Sequence, residues 1–223
     1  MKDKIKSILS SLEEAKENLL SLSDDIWLSI NHNDNKELQE GITFKTEFNN
    51  KLTDLDRLSA EIAVLVEQFA GMNKEAEEVK EKPETKENER IIKELNTREP
   101  HTLDEDFMYK RPFGIVFQGT AYKDLNTWRS VYLTLLNQLK EYDMSKFETL
   151  ATAEEFISKR GNTLFSNSEH DMRFSRKVGG TVYAELNLSA NSLRDAMKKV
   201  LNYFGLDVSE VTVYLREDRD FQE

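Results

Sequence analysis

Residues 182–195 read VYAELNLSANSLRD. The first half alternates, with Val182, Ala184, Leu186 and Leu188 on one side and Tyr183, Glu185, Asn187 and Ser189 on the other. Alternation with period two predicts a half-buried strand. Ser192 and Asp195 then have the spacing of a capping box. They open a helix through Leu193, Met197, Val200, Leu201 and Phe204, which Gly205 closes. A strand feeding an amphipathic helix puts this half of the chain in the α+β class. The polar row is expected to face solvent, beside a helix start suited to anion binding.

The same signals recur on either side. Residues 112–123, PFGIVFQGTAYK, predict a β-hairpin turning at Gly119-Thr120. A helix is predicted over 126–142, with Trp128, Val131, Leu135 and Leu139 on one face. Thr152 and Glu155 predict a second capped helix that Gly161 closes. Short strands are predicted around Leu164-Phe165 and Met172–Phe174, a turn at Gly179-Gly180, and a last strand over 211–216. Residues 108–223 are therefore read as a small α+β domain, its helices packed on a mostly antiparallel sheet.

The other half reads differently. Ile5, Leu12, Leu19 and Ile26 recur every seven residues, with Ile8, Ala15 and Leu22 three residues after the first three. Residues 31–35, NHNDN, break the pattern with turn-forming residues. A second stripe follows through Phe48, Leu55, Ile62 and Phe69, joined by Leu58 and Leu65. Two a/d patterns across a short turn predict a long, coiled-coil-like helical hairpin over 1–70. Two helices bury one stripe each, so the eight residues Ile5, Leu12, Leu19, Ile26, Phe48, Leu55, Ile62 and Phe69 are the expected oligomer interface. A helical protein partner is the alternative to self-association. Residues 71–107 are dominated by charged residues and carry Pro83 and Pro100, so they are read as a flexible charged linker with at most a short helix near 89–95.

The 223 residues contain no cysteine, three prolines and eight glycines. Disulfides, thiolate metal sites and cysteine nucleophiles are thereby excluded. The first 107 residues hold 15 basic and 26 acidic side chains, the remainder 16 of each, so the net charge of −11 lies in the first half. Any contact with a phosphate backbone is expected in the second half. No run of apolar residues long enough to span a bilayer is visible, and a cytoplasmic protein is expected.

Catalytic signatures are few. The sequence has no phosphate-binding GxxxxGK[ST], no HExxH and no GxSxG. His32, His101 and His170 are scattered, and neither a metal nor a cofactor is expected. One pattern resembles the metal-dependent nucleases of PD-(D/E)xK type. Asp171 precedes Glu185-Leu186-Asn187, but Asn187 stands where that family's lysine belongs. A binding role is the reading taken instead. Lys159, Arg160, Arg173, Arg176, Lys177 and Arg194, with Asn187, Ser189 and Asn191, form a candidate site for an anion or nucleic acid.

The segments KRPFGIVFQGTAYKDLNTW (110–128) and TVYAELNLSANSLRDAMKKVLNYFG (181–205) resemble a C-terminal domain of uncharacterised bacterial proteins found among mobile-element and phage-defence genes. The resemblance covers about half the chain and implies a prokaryotic setting and an accessory or recognition role. The expected function is thus a non-enzymatic adaptor. It oligomerises or docks through its hairpin and presents a domain that reads nucleic acid or protein. A divergent Mg²⁺-dependent nuclease and a purely structural assembly subunit are the alternatives.

Overall fold

The computed structural model describes residues 2–69, 82–158 and 163–217. They divide into two compact units: the helical hairpin together with residues 187–189, and the rest of the described chain. The fold is mixed α+β, with long helices first and antiparallel sheets with helices after them.

In the first unit, α1 (Lys2–Ser29) and α2 (Asn35–Phe69) form the expected hairpin. The turn between them is built by side chains. Asp34 Oδ1 accepts the backbone N–H groups of Lys36 and Glu37 at 2.8 and 3.2 Å, capping α2. Glu37 Oε2 reaches back to the N–H of Asn31 at 3.1 Å. Beside the turn Gly41 is buried, and a Cβ there would overlap the Ile30 side chain. The missing side chain lets the helices approach closely.

The seam between the helices runs beside the two stripes rather than along them. Among the described residues its buried large apolar side chains are Leu20 and Leu52, joined by a buried ion pair between Lys16 and Asp56. Lys45 Nζ closes the turn end on Asp24 Oδ1 at 2.7 Å. Ile5, Leu12, Leu19, Ile26, Phe48 and Leu55 are half-buried, and Ile62 and Phe69 lie in the open. The reason is angular. At 100° per residue, Leu52 and Asp56 sit about a quarter-turn or more round α2 from the stripe through Ile62, so one α1 cannot cover both.

The second unit begins earlier than expected. Residues 70–81 of the expected linker lie outside the described residues, but residues 82–107 are folded. Helix α3 (Thr85–Leu95) buries Ile91 and Leu95, one turn apart, against Phe113, Ala121 and Tyr214. Strand β1 (Pro100–Thr102) follows, and Leu103 and Phe107 are fully buried. The short helix expected near 89–95 is present, starts four residues earlier, and is packed rather than part of a flexible linker.

Strands β2 (Pro112–Phe117) and β3 (Thr120–Lys123) form the expected hairpin, turning at Gln118-Gly119, one residue earlier than expected. Both turn residues have positive φ, 47° and 73°, as a two-residue type I′ loop requires. Helix α4 (Trp128–Tyr142) and the short α5 (Met144–Thr149) come next. The expected helix from Thr152 is a single 3₁₀ turn, Glu154–Phe156, with no side-chain cap, and Gly161 lies outside the described residues. Then come β4 (Phe165–Ser166), β5 (Ser175–Gly179), β6 (Val182–Glu185), α6 (Ala190–Phe204) and β7 (Val211–Leu215).

Among the described residues the strands form two antiparallel sheets rather than one, in the orders β1-β7-β2-β3 and β4-β6-β5. Helix α4 contacts β2 of one sheet, β5 of the other, and α6. That position accounts for burial on every side of it, from Trp128 to Leu139. Trp128 stacks on Phe107 with ring centroids 4.4 Å apart and donates its indole N–H to the carbonyl of Lys110 at 2.8 Å.

Candidate interaction surfaces

The opening stretch does form a strand, but it ends at Glu185, and α6 starts at Ala190 rather than Ser192. The expected wet face is buried: Glu185, Asn187 and Ser189 are each less than 9% exposed. Glu185 is held by the chain before β5. Its carboxylate accepts the backbone N–H of Arg173 at 2.8 Å and of Phe174 at 3.2 Å. Those two residues were expected in a strand. Their N–H groups go to a side chain instead, and the ladder starts at Ser175. Arg129, itself buried on α4, donates Nε–H to the carbonyl of Leu186 at 2.9 Å and lies over the Phe174 ring. Burial, with the charge of Glu185 adding to it, pushes the fully buried Tyr132 phenol up. A carboxylate engaged by two amides acts as a staple between strand and loop.

Asp171, the other acid of the nuclease-like pattern, accepts from the Ser166 hydroxyl. Among the described residues no group of three His, Asp or Glu side chains is placed to hold a metal ion.

The candidate anion site divides into separate places. Lys159 and Arg160 lie outside the described residues. Asn187 and Ser189 group with the hairpin unit, where Ser189 Oγ donates to Asp24 Oδ2 at 2.7 Å. Asn191 and Arg194, on α6, clamp residues 105–107 of their own unit. Asn191 Oδ1 accepts the N–H of Phe107 at 2.9 Å, and its Nδ2 donates to Asp106 at 2.8 Å. Arg194 donates to the carbonyl of Glu105 at 2.7 Å and pairs with Asp195 at 2.8 Å. Arg173, Arg176 and Lys177 remain together at β5, with Arg173 and Lys177 exposed.

The clamp was not visible in the sequence, because Asp106 and Asn191 are 85 positions apart. Glu105 accepts from His101 Nδ1 at 2.8 Å and from the N–H of Thr102 at 2.9 Å, which holds its carboxyl below the usual range. Asp106 is held low by the N–H of Met108 and by Asn191. The other missed residue is Asn88 of α3. Its amide donates to the carbonyl of Gly119 and accepts from the N–H of Ala121, both at 2.8 Å, satisfying backbone groups at the edge strand β3.

The aromatic residues at the start of the sheet unit are mostly core. Tyr122, Trp128 and Tyr132 are fully buried, and only Tyr109 is exposed. Burial pushes the Tyr122 phenol up to about 12, with the charge of Glu141 adding to it.

Among the described residues, four exposed apolar side chains lie in a row on α2. Leu58 is 54% exposed, Ile62 40%, Leu65 65% and Phe69 92%. The spacing of four, three and four residues places these side chains on one stripe, next to the half-buried Leu55. No described helix is long and apolar enough to cross a membrane. In comparisons with protein-family models, curated proteins and solved structures, nothing matches this chain.

Proposed function

We propose that the chain is a non-enzymatic adaptor whose helical hairpin binds another polypeptide and whose sheet unit carries a separate recognition surface. The observation that carries this reading is the open stripe Leu58-Ile62-Leu65-Phe69. Contiguous apolar surface of this kind on a helix marks an association site, whereas scattered exposed apolar residues need no explanation. In the sheet unit, Arg173 and Lys177 beside β5 are the basic residues best placed to meet an anionic ligand. A role in a prokaryotic defence or mobile-element system follows from the resemblance of residues 110–128 and 181–205 and is part of the proposal.

The test is photo-crosslinking of the full chain inside its native host. A photoreactive side chain at Leu65 is expected to trap a species of higher mass, while the same group at the exposed Lys93 of α3 is not. Mass spectrometry then tells a second copy from a different protein. No trapped species from positions 58, 62 or 65 would overturn the adaptor reading.

A further inference from the structure

The stripe on α2 has an acidic border. Glu40, Glu47, Asp54 and Glu61 recur every seven residues and all four are exposed; Asp54 and Glu61 flank the open residues, and Glu47 and Glu40 carry the row on toward the turn. With Leu55, Ile62 and Phe69 as a positions and Leu58 and Leu65 as d positions, the four acids fill successive g positions. Among the described residues the row is diluted at the rim, by Lys36 on Glu40 at 3.8 Å and Arg57 on Asp54 at 3.5 Å, both pairs well exposed.

This border selects among occupants. In a parallel pairing of two α2 helices, each g residue meets the e residue five positions on in the partner. For this chain those are Lys45, Leu52, Ser59 and Val66. Lys45 already engages Asp24, and Leu52 is buried in the hairpin seam. In an antiparallel pairing the g rows face each other, acid against acid. The hairpin also carries 14 acidic and 8 basic residues over positions 2–69, so two copies repel at long range as well.

We infer that the stripe on α2 is a docking site for an amphipathic helix of another protein, apolar at a and d and lysine- or arginine-rich along the flank that meets Asp54 and Glu61 and runs on toward Glu47. The inference rests on the adaptor reading and supplies the chemistry of its partner. Burial of the seam provides affinity, and the acidic row provides selectivity and faster association.

The experiment uses the full chain and three synthetic helices of about four heptads. One has Leu/Ile at a and d with Lys at e and g, one has the same seam with Glu at e and g, and one keeps the Lys flanks with Ser at a and d. Binding is read by calorimetry at low and high salt. The Lys-flanked apolar helix is expected to bind at least about tenfold more tightly than either control, and less tightly as salt rises. In the triple variant Glu47→Lys/Asp54→Lys/Glu61→Lys the preference is expected to reverse toward the Glu-flanked helix, with helical circular dichroism unchanged.

Equal binding of the Lys- and Glu-flanked helices, binding of the Ser-seam helix as strong as the apolar one, no binding at all, or a preference that the triple variant leaves intact would each overturn the inference. So would a full-chain dimer in sedimentation that Ile62→Asp splits, since the occupant would then be a second copy. A crosslink from Leu65 in the host without any preference for the Lys-flanked helix would sink the partner chemistry alone. The absence of any crosslink would sink the adaptor reading itself.

Discussion

The hairpin and the sheet unit bury opposite kinds of side chain where their sequences look most alike. In the hairpin, a stripe of leucine, isoleucine and phenylalanine stands in the open on α2 while Lys16 and Asp56 are buried at the seam. In the sheet unit, the apolar row Val182, Ala184, Leu186 is buried as expected, yet Glu185 on the opposite side of the strand is buried too. Periodicity identifies the faces of an element, and what packs on each face decides which of them is wet. Strand β6 is buried on both faces, with Val182 and Ala184 on one and Glu185 on the other, whereas α2 keeps one face in the open.

The contrast can be broken most forcefully in the sheet unit. Trp128→Ala removes the fully buried indole, its stack on Phe107 and its hydrogen bond to Lys110. A loss of about 3–5 kcal/mol is expected, read as a shift of the urea midpoint followed by tryptophan-independent circular dichroism. In the hairpin the corresponding change is polar. Asp56→Ala leaves the Lys16 ammonium buried without its carboxylate and is expected to cost about 3 kcal/mol. The double change Lys16→Met/Asp56→Leu is expected to be neutral or stabilising, because a buried pair recovers little beyond its own desolvation. A double variant as unstable as Asp56→Ala would show that the pair itself holds the seam.

Smaller effects sharpen the boundary between the regions. Asn88→Ala removes both hydrogen bonds to the edge of the β2-β3 hairpin and is expected to cost about 1–2 kcal/mol in the transition of the sheet unit. A null result would show that α3 is held by the burial of Ile91 and Leu95 alone. The smallest effect is that of pH. Glu105 and Asp106 have carboxyls held below their ordinary values by His101, Thr102, Met108 and Asn191. Groups whose pKa is depressed on folding stabilise above the unfolded value and lose that contribution as pH falls through the folded one. The urea midpoint is therefore expected to be level, as far as these two groups decide it, from neutral pH to about 5 and to fall below about 4, and Glu105→Gln/Asp106→Asn should flatten that fall.

Much of the architecture was legible because it rests on local rules. The two heptad stripes, the turn at 31–35, the positive-φ loop at Gly119 and the helix from Trp128 all depend on neighbours in sequence. What was not legible depends on pairs far apart. Glu185 reads as a polar strand residue until Arg173 and Phe174 point their amides at it, and Arg194 reads as an anion ligand until Glu105 and Asp195 take its donors. Helix α3 reads as no more than a short helix in a linker, since only Ile91 and Leu95 signal that the charged segment packs. The acidic row on α2 is the reverse case. Its seven-residue spacing is plain in the sequence, but it acquires meaning only once the stripe beside it proves to be open.

The most direct test of which side of α2 is open uses the lack of native cysteine. Leu52→Cys and Leu65→Cys in the full chain each carry a single thiol whose rate of reaction with an aromatic disulfide reports access at that position. The structure predicts near-free reactivity at 65 and protection of about a hundredfold or more at 52, where reaction waits for local opening. Equal protection at both positions would contradict the account, because the stripe would then already be covered within the protein itself.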